Sequence, residues 1–209
     1  MKIDIGADFQ PSKIVCVGRN YAEHAAELGN EVPKEPLLFL KAPSALIHTG
    51  ASIVIPPQSA QVEHEGELAV IIGDVCKDLP EDADVSEYIR GYTCLNDVTA
   101  RDLQKKDGQF TRAKSFDTFC PIGPHIETEL DVTDLRVMTR VNGEIRQDGR
   151  TSQMVFQVEF LIRYISQMMT LLPGDVIATG TPSGVSKFNP GDVCEVEIEG
   201  IGVLRNSVR

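Results

Sequence analysis

The 209-residue sequence predicts an α+β fold, with mixed, strand-rich sheets rolled or barrel-like in arrangement and few helices. Three observations carry that expectation. Short β-prone runs bounded by Gly or Pro recur along the whole chain. Helical periodicity is confined to a few segments, and the strand–helix–strand alternation that builds parallel sheets is missing.

The elements follow in order. Residues 13–17 are apolar and β-branched and read as the first strand, and 20–28 reads as a short helix. Strands are expected at 37–40, 52–55, 68–72 and 90–94, and a polar, helix-compatible stretch at 99–106. Residues 137–141 form another strand, and Asn142-Gly143 after it is the dipeptide that closes tight hairpins, because both central residues of that turn take positive φ. Phe156, Phe160, Leu161, Tyr164, Ile165, Met168 and Met169 share one face of an amphipathic helix. Two Pro-Gly-Asp-Val turns, at 173–176 and 190–193, open the late strands 175–179 and 192–198. In the last strand Cys194, Val196 and Ile198 alternate with Val193, Glu195 and Glu197, the pattern of a half-exposed strand.

Composition bounds the function. No Ser/Gly-rich or Pro-rich linker divides the chain, so it reads as a short N-terminal segment, 1–12, and a single domain, 13–209. A formal charge of −11 and a pI near 4.8 argue against nucleic acid or an anionic membrane as partner. The N-terminus lacks an apolar core of signal-peptide length, and no run approaches the ~18 apolar residues of a membrane helix, which points to the cytoplasm. Five cysteines, an odd number without a C-x-x-C pair, read as reduced thiols and give zinc no ligand set.

The chemistry starts at His-Glu-Gly-Glu-Leu, 64–68. Glu65 and Glu67 are two apart in front of an apolar run, so on a strand they project side by side. Like charges held together near a core need something positive between them. A polar strand end with Glu63, Glu65 and Glu67 all in water is the alternative. Asp97, placed where the strand 90–94 gives way to a helical stretch, supplies a third acid. Two Glu and one Asp, with water and substrate oxygens filling a shell of about six, suit Mg²⁺ or Mn²⁺. His24 and Glu27 are i and i+3 on a helix, where a carboxylate can orient an imidazole as a base; a surface pair is the simpler reading. Lys114 lies in a short segment before Phe119-Cys120-Pro121. The small-residue turn 178–184 offers amides and hydroxyls that can cradle a carboxylate.

Seven segments in order, Val-Gly-Arg-Asn-Tyr-Ala-Glu-His (17–24), Glu-Pro-Leu-Leu-Phe-Leu-Lys (35–41), His-Glu-Gly-Glu-Leu (64–68), Asn-Asp-Val-Thr-Ala-Arg-Asp (96–102), Ala-Lys-Ser-Phe-Asp (113–117), Val-Asn-Gly-Glu-Ile-Arg-Gln (141–147) and Thr-Gly-Thr-Pro-Ser-Gly-Val (179–185), resemble the fumarylacetoacetate hydrolase family. The likeness is to its short single-domain members: acylpyruvate hydrolases, oxaloacetate decarboxylases and tautomerases, and relatives acting on hydroxymuconate-type diacids. The resemblance implies a catalytic domain over 13–209 with the fold of the family's C-terminal domain, paired as a homodimer. It implies that Glu65, Glu67 and Asp97 ligate Mg²⁺ or Mn²⁺, and that His24 and Glu27 form a dyad on a segment that orders over the site. Lys114 matches an oxyanion-stabilising lysine, Gln104 a glutamine that places water or substrate, and Thr181 a threonine contacting the substrate carboxylate. Arg19 and Arg101 are further candidates for contacts with a small anionic 2-oxo acid. The expected reaction is C–C hydrolysis of acylpyruvates such as acetylpyruvate or fumarylpyruvate through a metal-held enolate. Oxaloacetate decarboxylation or tautomerisation, or hydroxymuconate-type isomerisation or decarboxylation, are the alternatives. A non-catalytic metal-binding module is the remote one, since it would have no use for His24, Glu27 and Lys114 beside the acids.

Overall fold

The computed structural model describes residues 1–6 and 8–209. Its strands, in chain order, are β1 (Lys2–Asp4), β2 (Ile14–Gly18), β3 (Leu37–Lys41), β4 (Leu46–His48), β5 (Ser52–Ile53), β6 (Val62–Glu63), β7 (Gly66–Ile72) and β8 (Ile89–Asn96). There follow β9 (Thr99–Ala100), β10 (Cys120–Glu127), β11 (Arg136–Val141), β12 (Glu144–Arg150), β13 (Val176–Ala178), β14 (Val193–Ile198) and β15 (Gly202–Val208). Four α-helices, α1 (Ala22–Glu27), α2 (Arg101–Asp107), α3 (Thr111–Lys114) and α4 (Val158–Ser166), complete the described elements with three short 3₁₀ turns.

The strands form an eight-stranded sheet, ordered β1-β10-β8-β7-β13-β2-β3 with β4 also on β10, and a five-stranded sheet ordered β12-β11-β14-β15-β5. The small pair β6-β9 stands apart. Both large sheets are open, and the fold is the expected strand-rich α+β. Each strand read from the sequence is present, with 52–55 shortened to the two residues of β5 and the amphipathic helix trimmed to α4. At 99–106 the helix begins only at Arg101, because Thr99 and Ala100 pair with Glu63 and Val62.

Alternation explains the core. Along β7 all seven residues are buried, as in a strand covered on both faces. Leu68, Val70 and Ile72 point to one side, where Val137, Val196, Ile198 and Leu204 of the second sheet and Leu161, Ile162 and Ile165 of α4 meet them. Ala69 and Ile71 point to the other, against Ile14, Cys16, Leu95, Phe119 and Ile122. Period two then puts Glu67 and Glu65 in line with Ala69 and Ile71, at the end of that second face. The site is an extension of a core layer.

Other elements escape sequence reading for physical reasons. β10 contains Pro121 and Pro124, which argue against an interior strand, yet it runs between β8 on one side and β1 and β4 on the other with a register irregularity after Gly123. β12 has only one apolar side chain, the exposed Ile145, and is held by its hairpin partner β11. The hairpin itself turns at Asn142 (φ 53°) and Gly143 (φ 82°), as Asn-Gly predicts.

Candidate active site

Glu65 and Asp97 leave adjacent antiparallel strands at the same level. β7 and β8 pair Glu67 with Leu95 and Gly66 with Asn96, and the Asp97 N–H continues the ladder by donating to the Glu65 carbonyl at 2.8 Å. Asn96 Oδ1 accepts from the Glu65 N–H at 3.0 Å, which fixes the strand end. The carboxylates of Glu65, Glu67 and Asp97, at 4, 2 and 1 % exposure, bring one oxygen each within 4.8 Å of one another. The solvated reading of Glu65 and Glu67 is thereby set aside.

Cations surround two of the three. Lys114 Nζ donates to Glu65 Oε2 at 2.7 Å and to Asp97 Oδ2 at 2.6 Å. Lys41 Nζ, also buried, donates to Asp97 Oδ1 at 2.6 Å and to the Val98 carbonyl at 3.1 Å. Arg101 reaches Glu63 Oε2 through Nε at 2.8 Å, Gln104 Oε1 at 2.7 Å, and Glu65 Oε1 through its remaining terminal nitrogen. Burial alone would raise the Glu65 carboxyl, but Lys114 and Arg101 hold it well below the usual carboxylate range. Burial would likewise lower the Lys114 ammonium, and Asp97 and Glu65 reverse this and raise it.

Glu67 differs. Its Oε2 accepts the Gly180 N–H at 2.8 Å, and among the described residues no salt bridge reaches it. Burial, then the charges of Asp97 and Glu65, push its carboxyl well up. A buried triad of oxygen donors with one member uncompensated fits a hard divalent cation, which would neutralise what Lys114, Lys41 and Arg101 leave over.

The triad lines a cavity of about 450 Å³ together with Arg19, His24, Arg101, Gln104, Lys114 and Thr181. Nine of the ten residues singled out from the sequence thus face one space. The tenth, Glu27, stands behind His24, with Oε2 3.3 Å from His24 Nδ1 and Oε1 accepting the Gly184 N–H at 3.0 Å. His24 is buried, so its pairing with Glu27 is not the solvent-facing pair that the spacing alone would favour. Arg101 spends Nε and both terminal nitrogens on Glu63, Glu65 and Gln104, which makes it a partner of the carboxylates more than an open anion contact. Thr181 Oγ1 donates to the Gly66 carbonyl at 2.8 Å, closing the turn 178–184 onto β7.

Sequence reading missed Lys41 and Glu63, and the buried pair His64 and Gln147 behind them. Lys41 ends an otherwise apolar strand, and an isolated lysine there is the only signal the sequence offers. The outer cavity wall joins Leu37 and Phe39 of β3 to Leu28 after α1 and Phe110 before α3, and these separate segments carry no shared local signature.

A strand-rich α+β scaffold ends one core layer in three converging carboxylates, with lysine and arginine around them at the floor of a cavity, an oxygen-donor set that could hold a metal ion. The family model for the fumarylacetoacetate hydrolase C-terminal domain matches residues 13–209, and the chain belongs to that family. It is 54 % identical over 202 residues to an uncharacterised protein of Methanocaldococcus jannaschii, covering 97 % of this chain and 85 % of that protein. It is 45 % identical over 211 residues to the mitochondrial oxaloacetate tautomerase of Homo sapiens, covering 95 % of this chain and 67 % of that protein. Among solved structures, 5-carboxymethyl-2-hydroxymuconate delta-isomerase from Mycobacterium smegmatis superposes with a TM-score of 0.89 at 50 % identity, covering 96 % of this chain and 79 % of that one. Relatives named as enzymes include tautomerases, isomerases and a fumarylacetoacetate hydrolase from Exiguobacterium antarcticum. Among the described residues, no helix is long and apolar enough to cross a membrane.

Proposed function

We propose that this chain is a divalent-cation-dependent enzyme of small 2-oxo acids, with Mg²⁺ or Mn²⁺ at Glu65, Glu67 and Asp97. Its reaction, in this reading, is proton transfer beside the keto carbon of oxaloacetate-type dicarboxylates. One observation carries the reading: three buried carboxylates converge within 4.8 Å on the floor of a cavity. With Glu63 they are four acids against Lys41, Lys114 and Arg101, a single net negative charge that a dication turns into a single positive one. Such a floor attracts a chelating anion into a protein whose overall charge repels it.

The bound cation would supply Lewis acidity toward the keto oxygen. The chain's own side chains do the rest. Lys114 places a buried ammonium where negative charge grows on that oxygen. His24, oriented by Glu27 through Nδ1, keeps Nε2 to take and return the proton at the adjacent carbon. Leu28, Leu37, Phe39 and Phe110 hold the substrate's middle away from water, while Arg19 and Lys105 on the same wall offer partners for a second carboxylate. The activities named for the human and M. smegmatis relatives support this reaction class.

Acylpyruvate hydrolysis is the second reading, favoured by the His24–Glu27 pair, which can equally activate a water toward a distal carbonyl. Both readings take the chain as a homodimer; half-exposed Phe160 on α4 and Met168 just beyond its end leave apolar surface for a second copy. Light scattering of the purified chain checks the assembly.

The deciding experiment follows the ultraviolet absorbance of enol-oxaloacetate and of acetylpyruvate with Mg²⁺, Mn²⁺ or a chelator. Metal-dependent loss of the enol-oxaloacetate signal is expected, with Glu65→Ala inactive on both substrates. His24→Ala should lose more on acetylpyruvate than on oxaloacetate if it activates water. Full turnover of Glu65→Ala in chelator would overturn the metal assignment.

A further inference from the structure

Gln147 sits on β12, in the second sheet, and is fully buried. It is not among the residues lining the cavity, and nothing above uses it. Its amide is nonetheless saturated on both sides. Oε1 lies 3.0 Å from the Gly66 N–H nitrogen and 3.0 Å from His64 Nδ1. Nε2 donates to Thr181 Oγ1 at 2.7 Å and to the Pro182 carbonyl at 2.7 Å. An amide has two acceptor and two donor capacities, and all four are taken.

The backbone fixes the direction of every one of these bonds. The Gly66 N–H can only donate and the Pro182 carbonyl can only accept, so the amide has one possible orientation. Thr181 Oγ1 must therefore accept from Gln147. Its own single proton goes to the Gly66 carbonyl at 2.8 Å. Both polar groups of Gly66 are thus held by one side chain, the N–H directly and the carbonyl through Thr181. Gly66 lies between Glu65 and Glu67, and Thr181 follows Gly180, whose N–H holds Glu67.

We propose that Gln147 is a positioning residue that clamps the carboxylate-bearing strand β7 to the Thr181 turn and so holds Thr181 in its place on the cavity wall. Gln147 acts on ligand binding through Thr181. The inference rests on the metal and keto-acid reading above.

The test uses Mn²⁺-loaded protein and oxalate, with calorimetric titration of wild type, Gln147→Met, Thr181→Val and the double variant. Each single change should weaken oxalate about tenfold, and the double variant should lose no more than the worse single one, because the two lie on one path. Mn²⁺ affinity, measured separately, should stay within about threefold, a split that general loosening of the fold would not give. Gln147→Glu provides the fallback if Gln147→Met does not fold. It keeps the acceptor half, turns the Thr181 proton away from Gly66, and should show the same loss of oxalate. Additive losses in the double variant, or oxalate affinity within twofold of wild type in either folded Gln147 variant, overturn the proposal. Wild type that binds Mn²⁺ but not oxalate overturns the keto-acid reading, and the inference with it.

Discussion

Glu67 is the residue on which charge balance at the site turns. The groups around Glu65 and Asp97 are cations, whereas Glu67 has a backbone N–H and two neighbouring carboxylates. Its folded-state proton is held above the usual 4.5, so between that value and the raised one the folded chain binds a proton that the unfolded chain has released. Metal-free stability therefore falls as pH rises past about 4.5. Glu67→Gln removes this penalty. In chelator near pH 8 its melting temperature should exceed that of wild type by about 2–4 °C, on the order of 1 kcal/mol at this size. Mn²⁺ should raise the melting temperature of wild type and leave that of the variant unmoved. Equal Mn²⁺ shifts in both proteins would remove Glu67 from the ligand set.

Two elements carry predictions of their own. β7 and the second sheet approach so closely at Gly66 that a Cβ there would strike Thr139 and crowd Val196. The glycine between the two glutamates is thus demanded by packing of the sheets. Gly66→Ala should destabilise by about 1–3 kcal/mol, and adding Thr139→Ala should recover part of it, measured by denaturant unfolding. Independent, additive effects would show that the clash is relieved elsewhere. The junction of β2 and β13 is tied by Asp175, whose carboxylate accepts from Ser12 Oγ at 2.6 Å, from the Lys13 N–H at 3.1 Å and from the Leu172 N–H at 2.8 Å, and pairs with Lys13 Nζ. Burial would raise this carboxyl, and those donors together hold it below the usual 3.8. A depressed carboxylate contributes stability above its unfolded value and loses it as pH falls through the folded one. Asp175→Asn should therefore cost about 1–3 kcal/mol near pH 7, with the gap to wild type closing below pH 3.8. A gap that stays constant down to acid unfolding would mean that shape, and not charge, holds the junction.

At the scale of the whole molecule, the charge of −11 and a site made net positive by the dication proposed above would pull a small anion in opposite directions. The global repulsion acts over distances that salt screens, with a Debye length of about 10 Å at 0.1 M, whereas the buried pairs at the cavity floor are screened far less. Raising ionic strength from about 0.01 to 0.15 M should then lower KM for oxaloacetate by about two- to threefold and leave kcat unchanged. A KM that rises steeply with salt would mean that the local cations dominate capture from a distance.

The sequence determined more of this protein than composition suggests. Period two fixed that Glu65 and Glu67 share a face, Asn142-Gly143 fixed a hairpin, and the alternation from Val193 to Ile198 fixed which side of β14 is wet, because each depends on neighbours a few residues apart. Seven short segments in order were enough to place the chain in its family. Tertiary structure alone decided what those residues meet. Asp97 stands opposite Glu65 only because β7 and β8 pair in that register, and Lys41, from a strand at the far edge of the sheet, arrives beside it through packing. The proline-bearing β10 is a strand only because β8, β1 and β4 flank it, and Gln147 reaches Gly66 only because two sheets stack there. Contacts between distant segments are set by the burial of whole faces, and no local window of sequence holds that information.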